Sequence, residues 1–150
     1  GEGITGKRLA MIEDGVLQHW FLSTSTANEL GLKTNGRGVR GGTSVNPAST
    51  NLALEPGDIS PEELIRSVGN GFYVTELIGQ GVNMVTGEYS RGASGYWIEN
   101  GELTFAVSEV TIASNLTDMF LRITPANDID RSFGVAAPTL AIEGMTLAGT

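Results

Sequence analysis

From Gly71 to Phe120 the chain alternates short apolar stretches with glycine-containing turns, and this pattern most narrows the folds open to it. Asn100-Gly101, bracketed by Glu99 and Glu102, separates Gly95 to Ile98 from Leu103 to Val107. Asn-Gly accepts the positive φ angles of a two-residue type I′ turn, so the spacing predicts a β-hairpin. Asp14-Gly15 repeats the device between the stretch from Arg8 to Ile12 and the stretch from Val16 to Leu22. Thr86-Gly87 gives a third turn, between Val82 to Val85 and the polar Glu88 to Arg91 leading into the next strand.

Helical signals are fewer. Ser60 followed by Pro61, Glu62 and Glu63, with Leu64, Ile65 and Val68 on one side, predicts a short helix ended by Gly69. Ser23 to Gly31 is a second candidate, closed by Gly31. Asn115 to Ile123 is a third, capped by Asn115, stopped by Pro125, and expected to bury Leu116, Met119, Phe120 and Ile123. The expected class is therefore α+β: a mostly antiparallel, curved or barrel-like sheet with two or three short helices. Residues 1–150 are read as a single domain, the length allowing one core. Residues 34–58, with seven glycines and prolines and no clear periodicity, are read as a long surface loop.

Charge and composition exclude several functions. Seventeen acidic residues against nine basic ones give a formal charge of −8, which disfavours sequence-independent phosphate binding, so nucleic acid is not an expected partner. Without cysteine there are no disulfides, thiolate nucleophiles or thiolate metal ligands, which fits a reducing cytosol. No apolar stretch is long enough to span a membrane, and the first residues lack a signal peptide's apolar region. The chain does not start with methionine, so it is expected to derive from something longer.

Individual motifs carry little chemistry. Gly36-Arg37-Gly38-Val39-Arg40-Gly41 fits GxGxxG, but no apolar strand precedes it and Pro47 follows where a helix should start. It reads instead as a flexible turn whose Arg37 and Arg40 could meet a carboxylate or a partner surface. The sequon Asn115-Leu116-Thr117 already serves as a helix cap. His19, the sole histidine, would have to support any serine triad and is read as a partly buried or sheet-surface imidazole. No Gly-x-Ser-x-Gly elbow occurs. Glu99 and Glu102 beside an exposed turn are read as solvated carboxylates rather than an acid and base pair. No catalytic residue and no metal ligand is assigned.

Taken in order, Thr75 to Gly81, Thr86 to Gly95, Trp97 to Glu102 and Val107 to Ala113 resemble the C-terminal domain of the TldD/PmbA family, in its PmbA (TldE) branch. Glu13 to Leu17, Leu30 to Leu32 and Asn115 to Phe120 extend the resemblance over nearly the whole chain. It implies a bacterial cytosolic protease system, historically called modulator of DNA gyrase, in which a TldD-type and a PmbA-type subunit pair and digest unfolded peptides. Zinc is expected in the TldD-type partner, held by a helical His-Glu-x-x-x-His motif and a cysteine. This chain has neither, in keeping with the PmbA branch, so it is not expected to be catalytic by itself.

What remains is a role in shaping the peptide cleft and the partner interface. Glycine-rich strands allow an extended peptide to pair with the backbone, and the groove is expected near Gly79 to Gly95. Its residues would include Gly79, Gly81, Tyr89 for apolar contact and Arg91 for a carboxylate; the alternative is that Tyr89 packs and Arg91 pairs with Glu88 or Glu109. Trp20 and Trp97 are read as core or interface anchors. The competing function is a non-catalytic module binding extended peptides or partners, with direct action on DNA gyrase last. Homodimerisation is left open.

Overall fold

The computed structural model describes residues 2–149. In chain order its elements are β1 (Ile12–Glu13), β2 (Val16–Leu17), α1 (Thr24–Glu29), β3 (Gly38–Gly41), β4 (Ser44–Pro47), β5 (Leu52–Ala53), α2 (Pro61–Val68), β6 (Gly71–Ile78), β7 (Glu88–Glu99), β8 (Glu102–Asn115), α3 (Leu116–Leu121), β9 (Ile123–Pro125), β10 (Val135–Ala136), β11 (Leu140–Ile142) and β12 (Thr146–Ala148). The α+β expectation holds, with three short helices and antiparallel pairings. The main sheet is open rather than closed into a barrel.

By its internal contacts the chain divides into two compact units. The first comprises the described residues up to Leu52 with Phe133–Val135. Within it, Asp14 (φ 50°) and Gly15 (φ 76°) turn β1 into β2, as the Asp-Gly pair predicts. Ser23 caps α1 through a reciprocal box with Thr26, and Gly31 (φ 66°) follows the helix. The expected loop over 34–58 needs correction, because β3 and β4 pair antiparallel from Gly38↔Pro47 to Gly41↔Ser44. Strand alternation is unreadable there, since Val39 and Val45 are the only large apolar residues in the two strands. Arg37 is tied down, donating to Thr50 Oγ1 (2.6 Å) and to the Lys7 carbonyl (2.5 Å).

The second unit comprises Ala53–Ser132 and the described residues from Ala136 onward. Its centre is a four-stranded sheet in the order β12-β8-β7-β6. Asn100 (φ 53°) and Gly101 (φ 79°) make the predicted turn between β7 and β8, with Glu99 paired to Glu102. One face of the sheet carries the buried cluster Ala93, Val110 and Ile112, against which Phe72, Val74, Tyr89, Val107 and Met145 pack. Helix α2 begins with a capping box in which Ser60 Oγ accepts from Glu63 N (3.2 Å) and Glu63 Oε2 accepts from Ser60 N (2.9 Å). The backbone bond from Ser60 holds the Glu63 carboxyl below its ordinary pKa. Its C-terminal end receives the β7–β8 turn: Gly101 N–H donates to the Gly69 carbonyl (2.7 Å) and Asn100 N–H to Asn70 Oδ1 (3.2 Å). Helix α3 buries Met119, whereas Phe120 is exposed, contrary to the expected stripe.

Candidate peptide- and partner-binding surface

The segment from Gly79 to Arg91 folds back on the sheet as a braced hairpin. Gly79, at φ 76°, turns the chain out of β6, a conformation that costs a glycine little. Gly81 then lies against β7: Ser90 N–H donates to the Gly81 carbonyl (2.7 Å), and Val82 bridges Tyr89. Asn83 organises the tip. Its Oδ1 accepts from Val85 N (2.9 Å) and Thr86 N (3.2 Å), and its carbonyl accepts from Gly87 N (2.8 Å). Asn115, the cap of α3, donates from Nδ2 to the Thr86 carbonyl (3.0 Å), while Leu116 N–H reaches the Gly87 carbonyl (2.7 Å). The brace presents Met84 and Val85 to solvent, 82% and 95% exposed.

Strand alternation places Tyr89, Arg91 and Ala93 on one face of β7. Tyr89 is half-buried and packs against the core cluster. Arg91 sits opposite Ile112 in the register, and its Nη2 donates to the Leu77 carbonyl (3.3 Å), a contact with β6 rather than with a carboxylate. Glu88 instead accepts from Thr86 Oγ1 (3.2 Å). The Nε of Arg91 is shielded from solvent and finds no acceptor among the described residues. The fold thus gathers Gly81, Tyr89 and Arg91 along the first half of β7, while Gly79 lies at the exit of β6.

Strand β7 is central, so both of its hydrogen-bonding edges are taken, by β8 on one side and by β6 and the Gly81 to Asn83 stretch on the other. An extended peptide cannot pair with the backbone of β7 itself. Among the described residues the sheet's open edges are the outer sides of β6 and β12. The register slips at three places: between Val74 and Glu76 in the β6–β7 pairing, and between Ala93 and Gly95 and between Tyr96 and Ile98 in the β7–β8 pairing. Glu109, in the stretch of β8 that bulges opposite Ser94, adopts φ 58°, which is uncommon for a residue with a side chain. Sequence gives no sign of this. The bulges leave an open notch of about 260 Å³ lined by Thr75, Ser94, Gly95, Tyr96, Val107 and Ser108, among others. Thr75 Oγ1 donates across it to the Ser94 carbonyl (3.2 Å).

The donor set does not make a zinc site. His19 is exposed and its Nδ1 lies 2.8 Å from the Ala10 carbonyl. Among the described residues no group of three or more His, Cys, Asp or Glu side chains could hold a metal. Asp128 is committed structurally, with Oδ1 accepting from Thr139 N and Oδ2 from Thr139 Oγ1, both at 2.8 Å. The Thr139 backbone bond holds this carboxyl below its ordinary value of 3.8. A depressed folded pKa gives stability that is complete above the unfolded value and lost as pH falls through the folded one. The denaturation midpoint should therefore fall on acidification below about pH 4. Asp128→Asn should flatten part of that fall, and equal slopes in a titration from pH 5 to 2 would rule the contribution out.

Residues 1–149 match the family model for the PmbA/TldA metallopeptidase C-terminal domain. The chain belongs to this family. It is 41% identical over 149 residues to metalloprotease PmbA of Escherichia coli O157:H7, covering 99% of this chain and 31% of that protein. A metalloprotease TldD homologue of Haemophilus influenzae is 27% identical over 167 residues, covering 99% of this chain and 35% of its own length. The crystal structure of a candidate modulator of a DNA gyrase from Thermotoga maritima superposes with a TM-score of 0.86 at 34% identity, over 97% of this chain and 34% of that one. The family member described here thus spans about a third of the length of the curated relatives it matches. No helix among its described residues is long and apolar enough to cross a membrane.

Proposed function

We propose that this chain is the C-terminal domain of a PmbA-type subunit that pairs with a TldD-type subunit to form a zinc protease for unfolded peptides. In that assembly it shapes the cleft and the subunit interface and contributes no metal ligand. The observation that carries this reading is the 41% identity to a PmbA against 27% to a TldD homologue, together with the lack, among the described residues, of any group of three or more His, Cys, Asp or Glu side chains that could hold a metal. The open outer edge of β6 offers main-chain groups to an extended peptide whatever its sequence, and a separate notch opens across β6, β7 and β8 at Thr75, Ser94 and Val107. Arg91, anchored on the Leu77 carbonyl, is the residue proposed to take a carboxylate of substrate or partner. The zinc would be the partner's, and no step of its chemistry falls to residues of this chain.

The deciding experiment is hydrolysis of an unfolded peptide by the full-length subunit containing this chain, alone and mixed with a TldD-type subunit, with and without a chelator. Chelator-sensitive cleavage only in the mixture is expected. Cleavage by the subunit alone would overturn the non-catalytic assignment, and binding without cleavage in the mixture would leave a peptide-binding module instead.

A further inference from the structure

The first unit has few buried apolar side chains. Among its described residues only two apolar side chains, Leu22 and Ala27, are buried, while Ile12, Leu17, Trp20, Leu30, Leu32 and Val39 are exposed, Trp20 by 51%. Exposed apolar residues scattered singly need no explanation, but four of the unit's apolar residues converge on one groove. Leu17, Trp20, Leu22 and Leu32 line a depression of about 450 Å³, within the range of ligand and docking sites. Its polar groups are largely spent internally: Asn35 Oδ1 accepts from Leu22 N (3.0 Å) and its Nδ2 donates to the Trp20 carbonyl (2.8 Å). His19 Nδ1 lies against the Ala10 carbonyl. The one charged residue in the lining is Lys33, and no carboxylate lines the groove.

We infer that this groove is an interface within a longer polypeptide: it receives an apolar segment, flanked by an acidic residue that meets Lys33, from a part of the parent chain outside these 150 residues. Three observations converge on that occupant. Most of the unit's large apolar side chains are exposed, Trp20 and Leu32 of the groove among them. The groove offers an apolar bed with a single cation, which selects apolar side chains beside a carboxylate. The family relatives are about three times as long as this chain, so a covering surface of the same polypeptide is at hand. This inference rests on family membership and is independent of the proteolytic reading.

The test is hydroxyl-radical footprinting, read by mass spectrometry at Trp20, on the 150-residue chain and on the full-length subunit, the latter alone and with a TldD-type subunit. Trp20 should react severalfold more slowly in the full-length subunit than in the short chain, with no further change when the TldD-type subunit is added. Lys33→Glu should restore much of its reactivity in the full-length protein and leave the short chain unaltered. Equal reactivity in the two proteins would overturn the inference. So would protection that requires the TldD-type subunit, or concentration-dependent protection of the short chain, which would assign the groove to a subunit interface or to a second copy. A Lys33→Glu protein that keeps full protection would overturn the acidic neighbour.

Discussion

Replacing Gly95 with alanine is expected to cost more stability than almost any other single methyl group added to this chain. Gly95 is buried in the central strand, paired with Val74 on β6 and Val107 on β8, at the level where the register slips on both sides. A Cβ there would stand 1.9 Å from the Tyr73 carbonyl oxygen, 2.9 Å from its carbon and 3.1 Å from Thr75 N. All three atoms are backbone, so no side chain can rotate away, and β6 would have to move off β7 at its bulge. Ordinary substitutions cost about 0.5–3 kcal/mol; this one should reach about 4 kcal/mol, since it combines overpacking with a broken ladder. At about 2–4 °C per kcal/mol for a chain of this size, the melting temperature should drop by about 10 °C. Gly41→Ala is the matched control: no atom lies within 4 Å of its added methyl and its φ is not positive, so its effect should stay within about 0.5 kcal/mol. Thermal unfolding followed by circular dichroism compares the two, and a Gly95→Ala protein melting with the wild type would refute the packing of β6 on β7.

The same residues show where sequence reading succeeds and where it stops. Asn100-Gly101 and Asp14-Gly15 were legible because a turn's backbone demand is local, and both pairs adopt the positive φ angles that their residue types allow. The docking of the Asn100-Gly101 turn on α2 was not, because a hydrogen bond to Gly69 and contact with the Arg66 backbone join residues some thirty positions apart. Caps behave as local signals too: Ser23, Ser60 and Asn115 all sit where their side chains accept from the next turn. In α3, six residues are too few for a stripe to declare itself, and Phe120 faces solvent while Met119 is buried. Strand β3 escaped because Gly38-Val39-Arg40-Gly41 has no apolar alternation, its pairing being set by β4. For the candidate surface, glycine-rich strands pointed to a groove near Gly79 to Gly95, yet only the strand order shows β7 to be central and β6 to be the edge. The bulge at Glu109 has no sequence signature, since nothing in its residue type asks for φ 58°.

Gly81→Ala should separate the architecture of this surface from its chemistry. The added Cβ would fall 1.5 Å from the Ser90 carbonyl oxygen and 2.7 Å from its carbon, so the 81–90 contact cannot survive. The loss should stay local, because β6 and β7 remain paired from Gly71 to Ile78 and β7 keeps β8 on its other side. Circular dichroism should show a folded protein, whereas amide exchange at Ser90 and Asn83, whose N–H groups now donate to Gly81 and Glu88, should accelerate about 100-fold, equivalent to about 2.8 kcal/mol of local opening. With the brace gone, Met84 and Val85 lose their fixed presentation while Arg91 keeps its contact with the Leu77 carbonyl. If the cleft depends on the hairpin, peptide cleavage by the mixed subunits should fall in Gly81→Ala although every polar side chain is intact. Unchanged exchange at Ser90 would refute the close approach of Gly81. Faster exchange with undiminished cleavage would transfer the substrate contact from the hairpin to the open edge of β6 alone.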